Sequence, residues 1–187
     1  MASKKLFSPL NIVLCGLFTA LIAVGAFIKI PIPVIPFTMQ TMFVTMAGLF
    51  LGSKLGGLSA LLYMIIGLMG IPVFTQGGGP AYIFQPTFGY IIGFAVGAFL
   101  TGFVLERLGG RSVKAYVLAV LAGIAAIYLI GCTYLYFIKN FYLGAEMSLW
   151  NVFLYGFLVT IPGDLVFSLI SAFAVRKLKP IIRKTSA

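Results

Sequence analysis

Only three side chains in this 187-residue chain are carboxylic acids, Glu106, Glu146 and Asp164, and Asp164 alone falls inside a long apolar run. Charged residues of both signs make up 9% of the chain, where a soluble domain carries about 25%. Hydrophobic side chains make up 61%, and mean hydropathy is +1.14. A chain this short keeps much of its surface outside any core, so so large an apolar excess must meet lipid rather than water. The expected fold is therefore an all-α integral membrane bundle, one domain covering residues 1–187, with the lipid bilayer as its solvent.

Gly, Pro and charge divide the hydrophobicity into six runs, roughly 10–28, 37–51, 55–68, 87–105, 115–138 and 149–175. A full span takes about 20 residues, so the second and third runs are short, and one of them is expected to tilt little or to start within the membrane. Lys4 and Lys5 before the first run give it the look of a signal peptide, but it is long enough to cross a bilayer and is read as the first of six transmembrane helices. Between the first two runs, Pro31, Pro33 and Pro36 deny the backbone its helix donors.

Six crossings leave both termini on one side. Lys4, Lys5, Lys54, Arg107, Arg111, Lys114, Arg176, Lys177, Lys179, Arg183 and Lys184 fall there, and only Lys29 and Lys139 fall opposite. Lys and Arg accumulate in short cytoplasmic segments, so both termini are expected in the cytoplasm, with the Pro-rich loop 29–36 and the Gly-rich loop 70–86 outside. The net charge of +10 is thus a sign of membrane orientation, and no nucleic acid is expected as a partner.

The sequence has no G-x-x-x-x-G-K-[ST] loop, no histidine and no carboxylate pair. The usual acid–base and nucleophilic sets are missing with them, so the chain is expected not to be an enzyme and not to hydrolyse ATP by itself. Cys15 and Cys132 each sit in an apolar run and read as small buried hydrophobes. No metal and no cofactor are expected.

Asp164 lies in Thr160-Ile161-Pro162-Gly163-Asp164 within the sixth run. A carboxylate inside a span is costly unless paired and so marks a functional site. The alternatives are a protonated Asp bonded to carbonyls that Pro162 leaves free, or an ion pair with a lysine. Asn151 stands 13 residues before it, which at about 100° per residue puts the two roughly 220° apart on an ideal helix. They converge only through a bend at Pro162 or if Asn151 reaches down from the helix end. Trp150 reads as an interface anchor.

Thr38, Gln40 and Thr41 open the second run, Tyr82 and Gln85 close the Gly-rich loop, and Tyr90 begins the fourth run, all at one depth. Phe37, Phe74, Tyr82, Phe88 and Tyr90 supply aromatic walls for a small, partly apolar ligand. Gly77, Gly78 and Gly79 give their loop the freedom to close as a lid. On the first run, Gly16 with Ala20 and Thr19 with Ala23 are small residues four apart, a strip that suits close helix packing, either within the bundle or against a partner.

Three stretches, Ile35-Pro36-Phe37-Thr38-Met39-Gln40-Thr41, Gly78-Gly79-Pro80-Ala81-Tyr82 with Pro86-Thr87-Phe88-Gly89-Tyr90, and Ile161-Pro162-Gly163-Asp164, resemble the BioY family in order along nearly the whole chain. These are biotin-specific substrate-binding subunits, or S components, of energy-coupling-factor (ECF) transporters. The resemblance implies an ECF S-component-like bundle in the plasma membrane, with biotin bound near the outer face as transported substrate rather than cofactor. It also implies a transmembrane coupling subunit and two cytoplasmic ATPase subunits as partners, with Gly16, Thr19, Ala20 and Ala23 as the docking strip. Asp164 is then expected to accept the ureido N–H groups, and the expected ligand set is Asp164, Asn151, Gln40, Thr38, Phe37, Tyr82, Tyr90, Phe88, Gln85 and Gly78. The chain departs from the family pattern at Phe167, where many relatives have lysine, and at Phe88, where many have glycine. Lys29 and Lys139 are replacement partners for the biotin carboxylate, unless that group simply faces solvent. The competing reading is a solitary secondary transporter coupled to protons through Asp164.

Overall fold

The computed structural model describes residues 8–110 and 112–185, with side chains placed as far as Lys179. Helix α1, Pro9–Phe27, starts at Ser8, whose hydroxyl accepts from the Asn11 N–H, with Pro9 in the first-turn position where its missing donor costs nothing. Two short strands follow, β1 Lys29–Ile30 and β2 Phe37–Thr38, paired antiparallel with Lys29 opposite Thr38 and Ile30 opposite Phe37. This hairpin closes the Pro-rich loop. Phe37 and Thr38 thus belong to a strand rather than to the second helix, which begins three residues later than the hydrophobic run.

Helix α2, Gln40–Leu51, is short, and nine of its twelve residues are buried. Protein surrounds it: α2 packs on α1, α3, α4, α5 and the last helix. A helix walled by protein has no lipid thickness to match, which explains how twelve residues suffice. Gly52, at φ 90°, turns the chain into α3, Ser53–Leu68. The free first amide of α3 donates to Glu106 Oε1 at 2.8 Å, and the Ser53 hydroxyl donates to Oε2 at 2.8 Å. Glu106, at the end of α4 (Phe88–Arg107), thereby caps a neighbouring helix.

Helix α5, Val113–Phe137, runs on through a π turn, Ile138–Tyr142. The sixth crossing is divided into α6, Leu149–Phe153, a π turn, Leu154–Leu158, and α7, Ile161–Thr185. Four apolar helical segments are long enough to span a bilayer: Pro9–Phe27, Phe88–Arg107, Val113–Tyr142 and Leu149–Lys179. With the two short helices α2 and α3 they make the six crossings that the hydrophobic runs predict. Within the apolar window of α1 only 33% of residues are buried, against 61% in α4, so α1 stands at the edge of the bundle.

Lys54, Arg107, Lys114, Arg176, Lys177 and Lys179 gather at the end of the bundle that holds the α2–α3 and α4–α5 turns. There the Lys179 Nζ donates to the Leu49 carbonyl at 2.6 Å, at the C-terminal end of α2. Lys4, Lys5 and Arg111 lie outside the described residues, as do the side chains of Arg183 and Lys184. The Pro-rich and Gly-rich loops lie at the opposite end.

Close backbone approach sets the packing of α2, α3 and α4. A Cβ on Gly102 would overlap the Ser53 backbone, and one on Gly48 would overlap the Ala98 carbonyl, whereas Gly16 has nothing within 4 Å. Gly102→Ala and Gly48→Ala are each expected to lower stability by about 1–3 kcal/mol. Gly16→Ala is expected to leave it unchanged or slightly raised. Thermal unfolding of detergent-solubilised protein measures all three, and equal midpoints throughout would contradict this packing.

Candidate functional site

The sixth crossing breaks where sequence places Pro162. The Val159 N–H reaches back to the Leu154 carbonyl at 3.1 Å, a π-type bond, and the Thr160 N–H turns to the Phe157 carbonyl at 3.2 Å. Regular helix restarts at Ile161, and Pro162 tolerates that position because a helix start needs no donor there. Asp164 therefore lies in the first turn of α7, where the free N–H groups of the helix start favour negative charge. Gly163 makes room beside it: a Cβ there would stand 2.5 Å from the Phe37 ring. The hairpin carrying Phe37 rests directly on the α7 backbone, and Phe167, one turn on, packs against the same ring at 6.2 Å.

Asp164 is 6% exposed. Its Oδ2 accepts from the Tyr128 hydroxyl at 2.7 Å, and that hydroxyl stands 2.9 Å from Thr160 Oγ1. The Thr41 hydroxyl also faces the carboxyl. The partners are neutral hydroxyls, which leave acceptor capacity on the carboxylate unused.

A half-open cavity lies over this group, and the roughly 500 Å³ of empty space there includes open solvent at its mouth. Apolar walls come from Ile35, Phe37, Ile91 and Phe94, and polar atoms from Thr38, Gln40, Thr41, Thr75, Tyr82 and Thr87. Asp164 is the one formally charged side chain in the lining. Gln40 presents an ordered amide: its Nε2 donates to the Tyr63 hydroxyl at 2.7 Å, which donates in turn to the Val73 carbonyl at 3.1 Å. Tyr82 is fixed between the Thr75 hydroxyl at 3.0 Å and the Thr87 hydroxyl at 3.1 Å. The cavity is apolar with few, oriented polar groups, the usual make-up of a small-ligand site.

Of the residues expected from sequence, Asp164, Gln40, Thr38, Phe37, Tyr82 and Tyr90 line this cavity together. Phe88 is buried behind it against Tyr134, with ring centroids 6.0 Å apart. Gly78 is packed against the carbonyls of Ile71 and Gly67, where a Cβ would not fit, and is away from the lining. Phe74, buried to 1% exposure, sits between the Tyr63 and Tyr82 rings and supports the wall from behind. Gln85 is exposed. Asn151 lies on α6 in a separate cleft with Val34, Lys139, Glu146 and Tyr155. Lys29 reaches the Thr75 carbonyl at 2.8 Å and ties the hairpin to the Gly-rich loop.

The strip on α1 divides between two faces. Gly16 and Ala20 are exposed, while Thr19 turns inward to donate its hydroxyl within reach of the Cys15 and Ser59 carbonyls, at 2.9 and 3.0 Å, and Ala23 packs on the core. Sequence reasoning passed over Tyr128, which holds the carboxylate, Thr160, which meets the Tyr128 hydroxyl, and Thr75 and Thr87, which hold Tyr82. A phenol in the middle of the fifth apolar run was the available signal for Tyr128.

A model of the BioY family matches residues 1–184. The chain is 44% identical over 180 residues to the probable biotin transporter BioY of Lysinibacillus sphaericus, covering 96% of this chain and 92% of that protein. It is 36% identical to the biotin transporter BioY of Thermotoga maritima, over 91% of this chain and 96% of that protein. The crystal structure of the S-component for biotin from an ECF-type ABC transporter superposes with a TM-score of 0.79 at 30% identity, covering 91% of this chain and 90% of that one.

Removing the Tyr128 hydroxyl takes the 2.7 Å donor from a buried carboxylate. Tyr128→Phe is expected to destabilise the ligand-free protein by about 1–3 kcal/mol, read from its thermal or denaturant midpoint in detergent. In an Asp164→Asn background the same change should cost clearly less. An equal cost in both backgrounds would mean that the hydroxyl acts elsewhere.

Proposed function

The chain belongs to the BioY family, and from that premise we propose that it binds biotin in the Asp164 cavity, as the S component of an ECF-type vitamin uptake transporter. The observation that carries this reading is a buried carboxylate with unused acceptor capacity and, among the described residues, no cation beside it, facing a half-open cavity. The ureido group of biotin offers two N–H donors on one side. A carboxylate accepts such donors in short, charge-assisted bonds. The hydroxyls of Thr38, Thr87 and Tyr82 and the Gln40 amide supply the remaining polar contacts, and Phe37, Ile91 and Phe94 suit the fused rings and the thioether.

Phe167 stands where the resemblance implies a lysine, and its ring packs on Phe37 instead. With no base in the lining, the valerate carboxylate of the ligand points towards the mouth, into solvent or towards the outward bases Lys29 and Lys139. Biotin is the carried substrate rather than a cofactor of this chain. The named relatives are transporters and a transporter component, in keeping with a binding protein and not a catalyst.

The chain lacks a nucleotide-binding loop, so uptake is assigned to an assembly with a transmembrane coupling subunit and two cytoplasmic ATPase subunits. The exposed Gly16 and Ala20 of α1 offer that coupling subunit a close approach in the bilayer, while Thr19 and Ala23 set the face from within. The base-rich end, with both termini, faces the cytoplasm of a cell whose plasma membrane the chain crosses, and the cavity opens outwards.

Calorimetry on the purified protein tests the ligand. Biotin is expected to bind tightly and Asp164→Asn to weaken it roughly 100-fold, about 3 kcal/mol for exchanging an ionic acceptor for an amide. Unaltered binding by the variant would sink the role of Asp164. Biotin uptake into liposomes carrying this chain alone, driven by a pH gradient, would point instead to a solitary proton-coupled transporter.

A further inference from the structure

A π turn inserts one extra residue into a helix, and each side chain beyond it is rotated accordingly. The π turn Leu154–Leu158 precedes Asp164 on the same crossing, so its register helps to set where the carboxylate points. The turn also strands backbone acceptors. In regular helix the Gly156 carbonyl would take the Thr160 N–H, but that N–H bonds to Phe157 instead. Pro162 has no N–H to offer to the Leu158 carbonyl.

Gly156 finds its donor on another helix. The Tyr90 hydroxyl, from the first turn of α4, donates to the Gly156 carbonyl at 2.6 Å. The phenol is held from several sides. Cys132 Sγ lies 3.5 Å from the hydroxyl, and the ring meets that of Tyr128 edge-on, at 6.0 Å and 89°. It also lies over Gly131, where a Cβ would come within 2.5 Å of the ring. Gly156 is matched to this arrangement, because a Cβ there would stand 2.9 Å from the Tyr90 hydroxyl and 3.2 Å from Cys132 Sγ.

We propose that Tyr90 is a positioning residue for ligand recognition: by holding the Gly156 carbonyl it keeps the π turn in register and so turns Asp164 into the cavity. The inference rests on the reading of Asp164 as the acceptor for biotin. Two tyrosines then divide the task. Tyr128 holds the carboxylate itself, and Tyr90 acts about two helical turns earlier, on the backbone that carries it. Tyr90 also lines the cavity, so a direct contact with the ligand is the rival role, and the two roles differ in their dependence on Asp164.

Biotin affinity measured by calorimetry in a cycle of wild type, Tyr90→Phe, Asp164→Asn and the double variant tests this. Tyr90→Phe is expected to weaken binding roughly tenfold in the wild-type background and less than about twofold in the Asp164→Asn background, because the two changes act through one group. Gly156→Ala, which pushes on the phenol, should give the same pattern, and it carries the test if Tyr90→Phe yields no folded protein by size exclusion. A tenfold loss in both backgrounds would overturn the proposal in favour of a direct contact or a general packing role. So would a Tyr90→Phe variant that binds like wild type while Asp164→Asn is weakened. If Asp164→Asn itself binds like wild type, the earlier reading of Asp164 fails, a separate result.

Discussion

The bond between the Tyr128 hydroxyl and Asp164 Oδ2 is the interaction on which the cavity end of the molecule turns. A carboxylate buried in a membrane protein needs compensation, and a cation would supply it most directly. In its place the cavity offers two hydroxyls near the carboxyl besides that of Tyr128, on Thr160 and Thr41, and the positive end of α7. Each is a weaker partner than an ammonium, and together they leave the group short of donors. A ligand that brings two N–H groups completes the set. On the proposed reading, the unfilled acceptor capacity of Asp164 is the source of both its cost without ligand and its use in recognition.

That arrangement depends on backbone features that are costly elsewhere. A π turn, a proline and a glycine fall within ten residues of the sixth crossing; the first two displace or remove helix hydrogen bonds, and the glycine admits the Phe37 ring. Such irregular backbone is tolerated at membrane depth only where protein or a cavity surrounds it. Here the freed Gly156 carbonyl meets the Tyr90 hydroxyl of α4, Tyr128 of α5 reaches the Asp164 carboxyl, and the Phe37 hairpin covers Gly163. The central position of α2 serves the same end. It presents Gln40 and Thr41 to the cavity at its N-terminal end, while its C-terminal end carries the glycine contacts that hold α3 and α4 close.

How much of this was legible depends on the range of the interactions. The six crossings follow from hydropathy, which is local, and the bend at Pro162 follows from the missing N–H of proline. The placement of Asp164 in a cavity with Gln40, Thr38, Phe37, Tyr82 and Tyr90 followed from their common depth in a six-crossing topology. The β hairpin did not follow, because Phe37 and Thr38 pair with Lys29 and Ile30 across a loop. Nor did the π turn at Leu154–Leu158, whose sequence carries no proline and reads as ordinary helix. Asn151 shares the crossing with Asp164 but lies beyond that turn, in a different cleft. Thr19 and Ala23 follow the same four-residue spacing as Gly16 and Ala20, yet each stands three residues after its counterpart, about 60° short of a full turn, and that offset turns them into the bundle.

The central claim is that Asp164 recognises the ureido N–H groups of biotin, and a structure of the protein with biotin bound tests it most directly. The account predicts the ureido ring inside the cavity, at least one ureido nitrogen within about 3 Å of an Asp164 oxygen, and the valerate chain running to the mouth. A ligand held with its carboxylate inward, or one that leaves Asp164 bonded to Tyr128 alone, would contradict it.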